Sequence, residues 1–170
     1  MHSLKLIRAF TDVHYIIPRL VPEVQKGIEN PAADLWVGLA LQNPSLYKTW
    51  VHCVSVYYFA LRGQWKQSEL LLSTHSRALK AMSREMENPV RACSDSNILA
   101  VWGLAAHGWE KFLPPNHKVP NQGRMRFLQS LDRYSLMKFV PQHLDGLDVL
   151  IHMRGGIDRI TSEGIAALIS

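Results

Sequence analysis

The sequence predicts an all-α fold: an antiparallel array of about seven to eight helices in a single domain. Three observations predict it. Apolar residues recur at spacings of three and four in one segment after another. Asn-Pro and Ser-Asp pairs stand where helices should begin, and Gly-Gly stands where one should stop. No run of alternating apolar and polar residues bounded by turn dipeptides reads as a strand. A chain of 170 residues, 47% of them apolar, can bury a sizeable core, and short connections favour antiparallel neighbours.

The elements follow in order. Leu4, Ile7, Phe10 and Ile17 share a helical spacing, which Pro18 and Pro22 interrupt. Pro31 is placed for the first turn of a new helix, with Leu35, Trp36, Leu39 and Ala40 on one face. Asn43-Pro44 restarts the chain as N-cap and first helical residue. The run Leu46 to Leu61 then carries a wide apolar stripe. Its β-branched residues make Val51 to Phe59 ambiguous with a strand, but length and cap favour helix, and Gly63 is expected to end it.

Gln67 to Met86 is the clearest amphipathic segment, with Leu71, Leu72, His75, Leu79, Met82 and Met86 on the apolar stripe. Asn88-Pro89 stops it. Ser94-Asp95 offers an N-cap and an acidic first turn to a helix over 97–112 that is apolar almost all round, as expected of the centre of a domain. Residues 113–123 read as an exposed loop. Two further helices are expected over 124–137 and 141–153. Gly155-Gly156 makes a stop, and a last short helix over 157–169 is weakened in its middle by Gly164.

Motifs for chemistry are missing. The eight histidines form no HExxH pair; His143 and His152 stand too far apart to share one face, and His75 reads as a core or boundary histidine. No GxSxG occurs, and neither Cys53 nor Cys93 has a catalytic context. No glycine-rich phosphate loop follows a strand. Cys53 lies in an apolar run where a buried, inert thiol is the usual outcome. No catalytic residue, metal or cofactor is therefore expected.

The formal charge is +5 and the isoelectric point about 9.4, a mild excess that permits weak attraction to nucleic acid without demanding it. Lys118, Arg124, Arg126, Arg133 and Lys138, interleaved with Phe127, Tyr134 and Phe139, can be read as a nucleic-acid surface with stacking aromatics. The plainer reading is an amphipathic helix with Leu128 and Leu131 inward and its basic groups in water. No apolar stretch is long enough for a membrane span, and the N-terminus does not develop a signal-peptide core. A soluble, intracellular chain is expected.

Several segments in order resemble one family. They are Leu35-Trp36-Val37-Gly38-Leu39-Ala40-Leu41 with Asn43-Pro44-Ser45-Leu46-Tyr47; His75 with Ala78-Leu79 and Asn88-Pro89; Ser94-Asp95 with Ile98-Leu99-Ala100; and Leu128-Gln129-Ser130-Leu131. The most distinctive is His143, Gly146-Leu147, Leu150-Ile151 and Arg154-Gly155-Gly156-Ile157, an HxxGLxxLIxxRGG pattern. Together they resemble the helical regulatory domain of fungal zinc-cluster transcription factors, over residues 28–170, with 1–27 as a preceding helical segment.

The resemblance implies a fungal nuclear protein of transcription control, of metabolic or secondary-metabolite genes, acting through protein partners or self-association. The family's DNA reader is a six-cysteine cluster holding two zinc ions. Two cysteines cannot build it, so direct promoter binding is doubtful. The family's helical region also continues further, so the resemblance implies a truncated relative, a modulator acting through partners, or a fragment of a longer gene product. The motif residues His143, Gly146, Leu147, Leu150, Arg154, Gly155 and Gly156 are expected to be structural. Gly146 would permit close helix approach, Leu147 and Leu150 would pack inward, Gly155 and Gly156 would turn the chain, and Arg154 would hydrogen-bond the last carbonyls of its own helix. The alternative is an accessory small-molecule-binding or enzymatic helical protein of a biosynthetic pathway, its pocket lined by Trp36, Trp50, Trp102 and Trp109.

Overall fold

The computed structural model describes residues 31–61, 69–108, 139–162 and 164–170. The fold is all-α, as the periodicity predicts. Among the described residues there are seven α-helices: α1 (Pro31–Gln42), α2 (Pro44–Leu61), α3 (Glu69–Met86), α4 (Pro89–Ala92), α5 (Asp95–Ala106), α6 (Pro141–Arg154) and α7 (Ile165–Ile169). A 3₁₀ turn, Ile157–Arg159, separates the last two.

Local chemistry sets most of the boundaries. Asn43 Oδ1 accepts from the amides of Ser45 and Leu46, both at 3.0 Å, and so caps α2 behind Pro44. The stretch Val51–Phe59 is helical, so the cap and the length prevail over β-branched propensity. Asn88 does more than follow the end of α3. Its Oδ1 accepts from Val90 N and Arg91 N and starts the four-residue helix α4, which the sequence reading did not anticipate. Ser94 caps α5 by accepting from Asn97 N.

α6 ends in a left-handed residue, Gly155, at φ +96°. Gly155 N donates to His152 O at 3.0 Å and Gly156 N to Ile151 O at 2.9 Å, a pair of bonds that satisfies the last carbonyls of the helix. The single helix expected over 157–169 is in fact two pieces. Gly164, at φ +79°, stands outside α7 as its cap instead of weakening its interior.

α5 lies at the centre. Ile98, Leu99, Ala100 and Ala105 are buried on it, and it packs against α2, α6, α3, α4 and α7. The main core joins Ile98, Leu99 and Ala100 to Trp36, Trp50, Leu147, Leu150 and Ile165. Trp36 and Trp50 meet with ring centroids 6.3 Å apart, while Trp102 is only half-buried. The tryptophans of α1 and α2 thus serve as packing; Trp109 lies outside the described residues.

Two predicted faces are corrected. On α3 the buried residues are Leu71, Thr74, Ala78, Ala81 and Met82, whereas Leu72, Leu79 and Met86 are exposed. The inward face is turned toward the short side chains, which let α3 lie close to α2. On α1, Trp36 and Ala40 face inward and Leu35 is exposed. The helices expected over 4–17 and 124–137, the loop 113–123, and Gly63 lie outside the described residues.

Candidate functional site

The distinctive C-terminal segment is used in two places. Leu147 and Leu150 of α6 are buried in the main core, as expected. The far end of the helix meets the start of α5. Arg154 Nη2 lies 2.9 Å from Asp95 Oδ1, and Arg154 Nε donates to Arg159 O at 3.2 Å. Arg154 therefore does not bond its own helix's carbonyls, which Gly155 and Gly156 already satisfy; it ties α6 to α5 and to the 3₁₀ turn.

Asp95 is the hub of that tie. Its Oδ2 accepts from Thr161 N at 2.9 Å, Thr161 Oγ1 at 3.0 Å and Ser162 N at 2.8 Å. Burial alone would raise the carboxyl pKa. The donors of Ser162 and Thr161 outweigh it and hold the pKa below the usual carboxylate range.

Gly146 has no atom within 4 Å of where a Cβ would sit, so it does not mediate close helix approach. That role belongs to Gly103 on α5. A Cβ there would come 3.1 Å from Thr49 Cγ2 and 3.4 Å from Cys53 Sγ on α2. A separate polar network joins the starts of α2 and α5. Ser45 Oγ and Asn43 Nδ2 donate to Asn97 Oδ1, and Asn97 Nδ2 donates to Arg91 O at 2.7 Å.

At this side of the fold His52 on α2 meets His75 on α3 ring to ring, and His107, after α5, and the half-buried His143 near the start of α6 are near enough to act on His52 electrostatically. The packing explains the convergence. Val140 N donates to Ala105 O at 2.9 Å and brings the start of α6 to the end of α5. Cys53 Sγ and His107 Nδ1 both donate to Gly103 O, at 3.5 and 2.8 Å, so α2 meets the end of α5 at one carbonyl. The His52 and His75 rings lie with centroids 4.9 Å apart.

His52 is 1% exposed. Its Nδ1 stands 3.2 Å from Thr74 Oγ1, and that hydroxyl donates to Leu71 O at 3.1 Å. With its proton so committed, Thr74 accepts from His52, which assigns the hydrogen to Nδ1 and the lone pair to Nε2. Burial first, then the neighbouring His75, His107 and His143, pushes the His52 pKa down to about 3. His143 is lowered as well, by burial and then by His75.

Chemically, burial holds His52 as a neutral imidazole whose protonation the fold resists, and His143 is shifted in the same direction. Among the described residues no three His, Cys, Asp or Glu side chains are arranged to hold a metal ion. Cys53 is buried and its thiol is pushed far up by desolvation, which makes it unreactive. The sequence reading missed the cluster because its members sit on different helices; the one local sign was His52 inside the apolar run Val51-His52-Cys53-Val54. Lys118, Arg124, Arg126, Arg133 and Lys138 lie outside the described residues. Among the described residues no helix is long and apolar enough to cross a membrane. No protein-family model matches the sequence, and no curated protein or solved structure is detectably similar to it.

Proposed function

We propose that this chain is a helical regulatory module acting through protein–protein contacts. In this reading it is related to the regulatory region of fungal zinc-cluster transcription factors, lacks their zinc cluster, and works in the nucleus in control of metabolic or secondary-metabolite genes. The observation that carries it is the use of the HxxGLxxLIxxRGG segment. Leu147 and Leu150 enter the core, Gly155 stops the helix, and Arg154 locks it onto Asp95. Each of these motif side chains has structural work and none is free for catalysis, which favours a scaffold over an enzyme. Val149 and Met153, one turn apart on α6, are left exposed, a surface suited to a partner.

The test is to fuse the full chain to a heterologous DNA-binding domain upstream of a reporter gene in fungal cells. A several-fold change in reporter output is expected, abolished by V149S/M153S at unchanged protein level. An inert fusion overturns the reading. So does turnover of a defined metabolite by the purified chain that vanishes when one polar side chain is changed.

A further inference from the structure

We propose that Thr161 is a phosphorylation site, and that a phosphate there keeps the C-terminal segment from seating on the start of α5. The partner implied is a serine/threonine kinase that reads a basic residue ahead of its target.

The site is built around one carboxylate. Asp95, buried in the first turn of α5, accepts through Oδ2 from Thr161 Oγ1 at 3.0 Å, Thr161 N at 2.9 Å and Ser162 N at 2.8 Å. Thr161 itself is exposed, and so is Arg159 two residues before it. Ile160 and Thr161 lie outside any helix, and Ile160 is extended at φ −79° and ψ +116°. An exposed hydroxyl on extended chain, close behind an arginine, is what a kinase cleft can take. Ser76 and Ser83, exposed on α3, hold theirs on rigid helix instead.

Two buried side chains, Ile160 and Ile165, hold the stretch down on either side of Thr161. The hydroxyl is presented when the stretch lifts, and the ester then traps it lifted. In the transfer, Oγ1 attacks the γ-phosphorus of a nucleoside triphosphate. The bond from that phosphorus to the bridging oxygen breaks, the nucleoside diphosphate leaves, and the hydroxyl proton passes to the kinase's base.

The product cannot reseat for two reasons. The ester oxygen has no hydrogen to give Asp95, so the 3.0 Å contact changes from a hydrogen bond to an encounter of two acceptors. The phosphate also brings a charge of about −1.5 to −2 beside a buried carboxylate, where like charge disrupts. Arg154, the cation of the tie, is already engaged by Asp95 Oδ1 and Arg159 O. Thr161, Ser162 and α7 therefore come away from α5, while α6 stays seated through Leu147 and Leu150.

The test incubates the purified full chain with ATP and the catalytic subunit of a basophilic serine/threonine kinase. Mass spectrometry locates the phosphate, and amide hydrogen exchange reads its effect. Phosphate is expected on Thr161. Protection of the Thr161, Ser162 and α7 amides should then fall by at least about tenfold, the worth of one hydrogen bond to a charged acceptor, with α2 and α3 unchanged. Thr161→Val loses the hydroxyl without gaining charge, and should lose less protection than the phosphorylated chain. Three results overturn the proposal: no phosphate on Thr161, a phosphorylated chain that keeps its protection there, or a loss no greater than that of Thr161→Val. A fall shared equally by every helix overturns it as well.

Discussion

Arg154, the arginine of the Arg-Gly-Gly turn, forms an ion pair with Asp95 at 2.9 Å across 59 residues of chain, joining the end of α6 to the first turn of α5. Asp95 is almost fully buried and Arg154 is about one-third exposed, so the two partners are unequal. Removing Asp95 leaves a partly buried guanidinium uncompensated and strips the acceptor from Thr161 and Ser162. Asp95→Ala should cost about 3 kcal/mol of unfolding free energy. Arg154→Met leaves Oδ2 with its three donors and should cost about 1 kcal/mol. Urea denaturation at neutral pH measures both. Equal costs for the two variants would refute the inequality.

The same carboxyl predicts an acid limb. Its folded pKa lies below the ordinary value, so the unfolded chain binds the proton first as pH falls. The stability it supplies is present above about pH 4 and is lost below it. Asp95→Asn should flatten the fall in stability between pH 4.5 and 3 relative to wild type.

How much of this was legible in the chain depends on the range of the interaction. The caps at Asn43 and Ser94 and the stop at Gly155 are local, set by residues within five positions of one another, and they are readable in the sequence. Leu147 and Leu150 followed from helical spacing. The inner face of α3 did not, because Thr74, Ala78 and Ala81 carry little hydrophobic signal; close approach, not hydrophobicity, selects them. Asp95 read as an ordinary acidic first turn, since its partners come 59 to 67 positions later. The histidine cluster shares that difficulty four times over.

Two glycines make opposite predictions. Gly103→Ala gains helix propensity, but its Cβ meets Thr49 Cγ2 at 3.1 Å between two buried helices. The overpacking should dominate and destabilise by about 1–2 kcal/mol. Adding Thr49→Ser, which removes the offending methyl, should recover much of that loss. Gly146→Ala meets nothing within 4 Å in a mid-helix position, and should stabilise by about 0.5–1 kcal/mol. Thermal melts of the three variants check the pattern, and a destabilising Gly146→Ala would contradict the open space found there.

Gly155 is a third case, governed by backbone and not by space. Its φ of +96° is disfavoured for any residue with a Cβ, and the Cβ itself would find only Arg159 Cγ at 3.5 Å. Gly155→Ala should cost about 1–2 kcal/mol, with Gly155→Asn costing less because Asn tolerates the left-handed region better. An alanine variant as stable as wild type would show that α6 can end by another route.

Global stability should also fall from neutral pH toward pH 5, and His52 supplies the reason. Its folded pKa of about 3 lies below that of the unfolded chain, so between roughly pH 6.5 and 3 the unfolded state binds the extra proton. Stability therefore declines as pH falls through 6.5, the opposite of a histidine that gains an anionic partner. From pH 7 to pH 5 the loss attributable to His52 is about 2 kcal/mol, and the lowered pKa of His143 adds to it in the same direction. Carboxylates barely titrate in that window, so the histidines dominate it. Urea unfolding of wild type against His52→Gln at pH 7 and pH 5 isolates the contribution: the wild type should lose about 2 kcal/mol more than the variant. Parallel losses in the two proteins would mean that His52 is already charged in the fold, and that Thr74 does not hold it as a neutral donor.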